Sequence, residues 1–146
     1  AGGDFVLLTL SDNVGELLED GAVDVVLALE PEISEDLLQS VEALPVDAVI
    51  VEVPVPPATL RDLIPLYRTA RSTRKPLFAK VPIGLSAAQL ACVRDAGADA
   101  VVVDVGKDSL KRLKLLRDEI TALRPQRNRL DRVKATPSLG LTGAAG

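Results

Sequence analysis

Three ionisable residues close apolar runs at matching places in the chain. Glu52 lies at the end of Ala48–Val53, Lys80 at the end of Leu77–Val81 and Asp104 at the end of Ala100–Val105. If these runs are neighbouring strands, Lys80 sits between two carboxylates. A lysine held this way can serve as a general acid/base or orient a substrate. A Schiff base needs a neutral amine, and two flanking acids favour the ammonium instead. Lys80, Glu52 and Asp104 are therefore the candidate catalytic residues. The competing reading makes them an ion-pair layer capping a sheet, because buried ionisable groups require partners.

Other strand ends carry Ser11 with Asp12, and Glu30. Asp12, Glu30 and Glu52 are of the oxygen-ligand type that holds Mg²⁺. Their spacing matches no metal motif, and no metal site is assigned. Gly106 and Ser109 lie between an apolar run and a helix start, where backbone N–H groups favour anions. They are the candidate contacts for a phosphate-containing ligand. The loop Gly106-Lys107-Asp108-Ser109 has one glycine, and neither a P-loop nor a Gly-x-Gly-x-x-Gly motif occurs in the chain.

Composition removes whole classes of chemistry. The sequence has no His, no Met and one cysteine, Cys92. A Ser-His-Asp or Cys-His relay cannot be built within the chain. Histidine-containing and four-cysteine zinc sites are excluded. So is an internal disulfide, and nothing points to an oxidising compartment. Cys92, within an Ala/Leu-rich helical segment, is expected to pack as a small buried hydrophobe. No run approaches ~20 apolar residues, and no basic-then-apolar leader opens the sequence, so a cytoplasmic protein without membrane contact is expected.

Five runs read as strands: Phe5–Leu10, Val23–Leu29, Ala48–Val53, Leu77–Val81 and Ala100–Val105. They are short, rich in Val, Ile and Leu, and bounded by turn residues. Helical segments separate them. Asn13 and Gly21 bracket a short helix. Ser34 caps one that runs through Leu44 to Pro45. Thr59 or Pro57 opens a third, in which Pro65 predicts a kink or a late start. Ser86-Ala87-Ala88-Gln89 is a capping box, with Gly97 at the C-terminal end. The last helix starts near Asp108 or Ser109 and carries the stripe Leu110, Leu113, Leu116, Ile120 and Leu123. Pro125 ends it. Two strands repeat: Val46-Asp47-Ala48-Val49-Ile50-Val51-Glu52-Val53 matches Ala98-Asp99-Ala100-Val101-Val102-Val103-Asp104-Val105. Each has an Asp at its opening and a carboxylate five residues later.

Strand–helix alternation predicts an α/β fold with a parallel sheet. Residues 1–125 form one such domain of about five β/α units. Residues 126–146, polar and basic and then Gly/Ala-rich, are expected to be an extended or disordered tail. Charge is divided sharply. Residues 1–60 hold 13 acids and no base, whereas residues 61–146 hold 8 acids and 17 bases. This suggests that the two portions attract each other, or form two separately solvated faces. The basic helix and tail lack aromatics for base stacking, so nucleic acid is not the expected partner.

Glu52-Val53-Pro54-Val55-Pro56-Pro57, Lys75-Pro76-Leu77-Phe78-Ala79-Lys80-Val81-Pro82 and the segment from Asp95 to Val103 resemble flavin- and phosphate-binding TIM barrels, notably the dihydroorotate dehydrogenase-like group. The likeness covers residues 23–106. It implies a (β/α)-barrel architecture and FMN or another phosphate-containing cofactor, with Lys80 at the position that contacts the flavin. Glu52 stands where that family has Asn. Residues 46–56 and Ala96-Gly97-Ala98-Asp99 also resemble the third and fifth strands of response-regulator receivers. There Glu52 replaces the phosphoacceptor Asp, Asp104 replaces a Lys, and Val81 stands where Thr or Ser belongs. That likeness implies a non-catalytic interaction module.

The resulting expectation is consecutive parallel β/α units forming a half-TIM-barrel, with a five-stranded doubly wound sheet as the alternative. Sequential strand order 1-2-3-4-5 marks the first, and 2-1-3-4-5 the second. The expected function is binding of a small anionic or phosphorylated ligand at the strand ends. The alternatives are a receiver-like module or a barrel remnant without activity. A half-barrel exposes two sheet edges, so a homodimer through those edges is expected, or closure by the rest of a longer chain.

Overall fold

The computed structural model describes residues 5–12, 23–53, 59–106 and 110–123. The expected helix between Asn13 and Gly21, residues 54–58 with the alternative helix start at Pro57, Ser109, and the tail at 126–146 lie outside the described residues. Five strands form one sheet: β1 (Phe5–Thr9), β2 (Asp24–Leu29), β3 (Ala48–Glu52), β4 (Leu77–Lys80) and β5 (Ala100–Val102). Helices α1 (Glu35–Val41), α2 (Ile64–Ser72), α3 (Ala87–Asp95) and α4 (Leu110–Ala122) follow β2, β3, β4 and β5. All five expected strands are present.

The helix ends follow local chemistry. The Ser34 hydroxyl accepts from the Leu37 amide at 3.4 Å, and Ser86 and Gln89 form the reciprocal capping box. Gly97 takes φ 115° after α3, a left-handed conformation that glycine adopts without strain. Pro65 delays α2: residues Leu60–Leu63 make a 3₁₀ turn, and the helix proper begins at Ile64. Cys92 is a correction, because it is exposed. Leu90, Val93 and Ala96 carry the buried stripe of this segment, and position 92 lies off it.

The strand order is β1-β2-β3-β4-β5, with every neighbouring pair parallel. The doubly wound alternative, which needs 2-1-3-4-5, is overturned. Right-handed crossovers in sequential order place every helix on the same face. The main core agrees, joining Leu8, Val25, Leu27, Val49, Val51, Leu77 and Ala79 from the strands to Leu38, Leu66, Leu90, Val93 and Leu116 from the four helices. The other face carries only strand residues: Val26, Ala48 and Ile50 are buried, and Ala28, Phe78 and Val102 pack beside them. Among the described residues the sheet is open, ending at β1 and β5.

The repeated aspartates clamp neighbouring strands. Asp47 Oδ2 accepts from the Val25 amide at 2.7 Å while its own N–H donates to the Val25 carbonyl at 2.8 Å. Asp99 does the same to Leu77, at 2.8 Å and 2.8 Å. The β2–β3 and β4–β5 pairs are thus two copies of one unit, offset by 52 residues. The ladder shows how the copies are stacked. Ala100 pairs with Phe78, and Phe78 with Ile50. The repeat equivalent of Ala100 is Ala48, two residues earlier than Ile50 and two strands away. The sheet therefore slips by one residue per strand. Leu77, Val49 and Leu27 give the same slip, since the equivalent of Leu77 is Val25.

At the amino ends of the strands, Glu42 joins two connections. Its Oε2 accepts from the Thr73 hydroxyl at 2.6 Å and from the Arg74 amide at 2.9 Å. Lys75 Nζ donates to the carbonyls of Leu44 and Val46. The Thr73 hydroxyl, then the Arg74 amide, hold the Glu42 carboxyl below its ordinary pKa. A lowered folded pKa stabilises the fold above the ordinary glutamate range, and that stability is lost as pH falls towards the folded value. Glu42→Gln is therefore expected to cost about 1 kcal/mol near neutral pH, the modest figure for an exposed carboxylate. The gap from wild type should close in acid, as urea midpoints across pH will test. A gap that is flat with pH would remove the clamp from this account.

Candidate functional site

Backbone register positions the strand-end trio. Glu52 and Lys80 are direct partners across β3 and β4. The Lys80 carbonyl accepts from the Val53 amide at 2.9 Å, and the Val81 amide donates to Val102 at 2.9 Å. Lys80 is thereby fixed between both neighbouring strands. Val102 is its partner on β5, and Asp104, two residues on, returns to the same side. All three side chains stand at the carboxyl end of the face that carries no helix.

Lys80 Nζ lies 3.3 Å from Asp104 Oδ2 and 3.9 Å from Glu52 Oε1. The sequence expectation that Lys80 sits between these acids holds. Their environment is solvated. The side chains of Lys80, Glu52 and Asp104 are 38%, 69% and 86% exposed. Solvent screens such pairs, and each contributes about 0–1 kcal/mol.

The surrounding charge is acidic. Glu30 follows Ala28, which pairs with Ile50, so Glu30 extends the row towards Glu52. Among the described residues this rim thus carries Glu30, Glu52, Lys80 and Asp104, with Glu52 and Asp104 next to the ammonium. Asp12 turns back on β1: its Oδ2 accepts from the Thr9 amide at 2.7 Å and the Thr9 hydroxyl at 3.0 Å. Those bonds, the backbone one foremost, lower its pKa. Asp12, Glu30 and Glu52 do not converge, and no cluster of three metal-ligating side chains occurs among the described residues. Gly106 is exposed beyond β5, and Ser109 lies outside the described residues.

No protein-family model and no curated protein matches this chain. The site is therefore read from its own chemistry. A depression of about 420 Å³ is lined by Glu35, Gln39, Tyr67, Arg68, Arg71 and Ser72. It lies between α1 and α2 on the helical layer, away from the strand ends. Arg68 is committed there, donating to the Ile33 carbonyl at 2.9 Å. Sequence reasoning noticed Asp47 and Asp99 as a repeat but did not assign their clamping role. The signal was their identical place before each strand. No described helix is long and apolar enough to cross a membrane.

Proposed function

We propose that this chain is one wall of a β/α barrel and acts by assembly, with Glu52–Lys80–Asp104 as an ion-pair layer on its rim. The observation that carries this reading is the slip of one residue per strand in a sheet open at both edges. A barrel closes only when strands are staggered, and the eight-stranded TIM type has a shear of about 8, or one residue per strand. A flat open sheet needs no such stagger. The apolar face opposite the helices matches a barrel interior, and the two edges are the places where further strands would add. A lone thiol and no disulfide fit a cytoplasmic role for such a module.

A second reading assigns the rim to a small anionic ligand, such as FMN or a sugar phosphate, through Lys80. The partial exposure of its ammonium favours this, and the two carboxylates beside it oppose it. Lys80→Met separates the two. Assembly predicts a stability change within about 1 kcal/mol, and no rise in melting temperature with inorganic phosphate or FMN. A saturable rise that Lys80→Met abolishes would replace the ion-pair reading with the ligand site.

A further inference from the structure

We infer that the wall is closed by a second copy of this chain, joined head to tail, with β1 of each protomer beside β5 of the other. This inference rests on the barrel-wall reading and names its partner. The two edges of an all-parallel sheet are not equivalent, so β1 cannot pair with β1 and keep the strands parallel. A two-fold axis along the strands brings β1 to β5 twice and continues the parallel ladder at both junctions.

Charge selects the same pairing. Towards the β1 edge the sheet carries exposed Asp12 after β1, Asp24 at the start of β2 and Glu32 after β2, within a portion that contains no Lys or Arg. On the β5 side, α4 exposes Lys111, Arg112, Lys114 and Arg117. Within one protomer β1 and β5 are four strand spacings apart, roughly 19 Å along the sheet. Physiological salt screens over about 8–10 Å. The acidic and basic flanks therefore attract little inside one chain. Head-to-tail closure sets them against each other at both junctions, whereas β1-to-β1 contact sets acid against acid.

The apolar surface left open lies at the same two margins. On β1, Phe5 and Leu7 are 46% and 53% exposed, on the face shared with Val26. On β5, Ala100 is exposed on that face. Helix α4 buries Leu116 in the main core but leaves Leu110, on the same stripe, 77% exposed and Ile120 exposed. A barrel helix packs over its own strand and the following one. No described strand follows β5, and β1 of a second copy would supply one.

Sedimentation equilibrium of the full chain, with hydrogen exchange of the β1 and β5 amides, tests this. The expected result is a dimer whose edge amides are protected and whose dissociation constant rises roughly tenfold from low to high salt. Leu7→Glu, at an exposed position, should keep the circular dichroism of wild type and raise that constant roughly a hundredfold, since both junctions are affected. Reversal of Lys111, Arg112, Lys114 and Arg117 to Glu should weaken the dimer at low salt. A monomer at every concentration overturns the second copy and leaves the wall reading standing. A dimer with fast-exchanging edges, or one indifferent to both sets of substitutions, overturns the head-to-tail contact.

Discussion

Asp99→Ala is expected to lower the free energy of unfolding by about 2–3 kcal/mol, and Asp47→Ala by a similar amount. The Asp99 carboxylate accepts the Leu77 amide at 2.8 Å, and Leu77 is fully buried. Alanine removes the acceptor at the start of β4, where the β4–β5 ladder has not yet begun. The donor that remains is costly because burial limits its access to water. A carboxylate also accepts more strongly than an amide oxygen. Asp99→Asn should therefore recover roughly half of the loss. The same argument applies to Asp47 and Val25. The two clamps lie two strands apart, so the double variant should lose nearly the sum. Urea unfolding followed by circular dichroism reads these values. Loss below about 0.5 kcal/mol in both alanine variants would reduce the repeat to coincidence.

These clamps also show where sequence stops being legible. The strands were readable because Val, Ile and Leu runs sit between turn residues, and that signal is local. Ser34, Ser86 with Gln89, and Gly97 were readable for the same reason. Asp47 and Asp99 were visible as a repeat, but their partners are 22 residues earlier, on a strand whose register is not written locally. Glu42 and Thr73 are 31 residues apart and meet only because α1 and α2 end side by side. Cys92 was misplaced because an Ala-rich helix leaves its buried stripe poorly marked.

The strand-end site divides the same way. Its members were legible from their positions after apolar runs. Their meeting required sequential order, because Lys80 lies between Glu52 and Asp104 only if β4 lies between β3 and β5. Their exposure was not legible at all. It depends on what stands above the rim, and no spacing encodes that. Exposure is nevertheless what the proposed ion-pair reading of the trio rests on. The base-free portion of the chain, residues 1–60, showed the same limit: its charge was plain from composition, but the distance of β1 from the basic helix α4 followed only from the strand order.

Leu66→Ala is expected to have the largest effect of any substitution considered, about 3–5 kcal/mol. Leu66 is 0% exposed and fastens α2 to the main core with Leu38, Leu77 and Val93. Its neighbours on either side leave no freedom to collapse. Strands β3 and β4 stand below, and α1 lies beside α2. The lost transfer energy therefore adds to a cavity that persists. Leu60→Ala, 77% exposed in the preceding 3₁₀ turn, is the control and should change stability by less than about 0.5 kcal/mol. The backbone ladder from Lys80 to Val53 and Val102 does not pass through α2. The strand-end geometry should therefore survive in whatever fraction stays folded. If Leu66→Ala costs under about 1 kcal/mol, the helical layer is not what holds the wall in shape. The sheet's shape would then rest on its own backbone ladder.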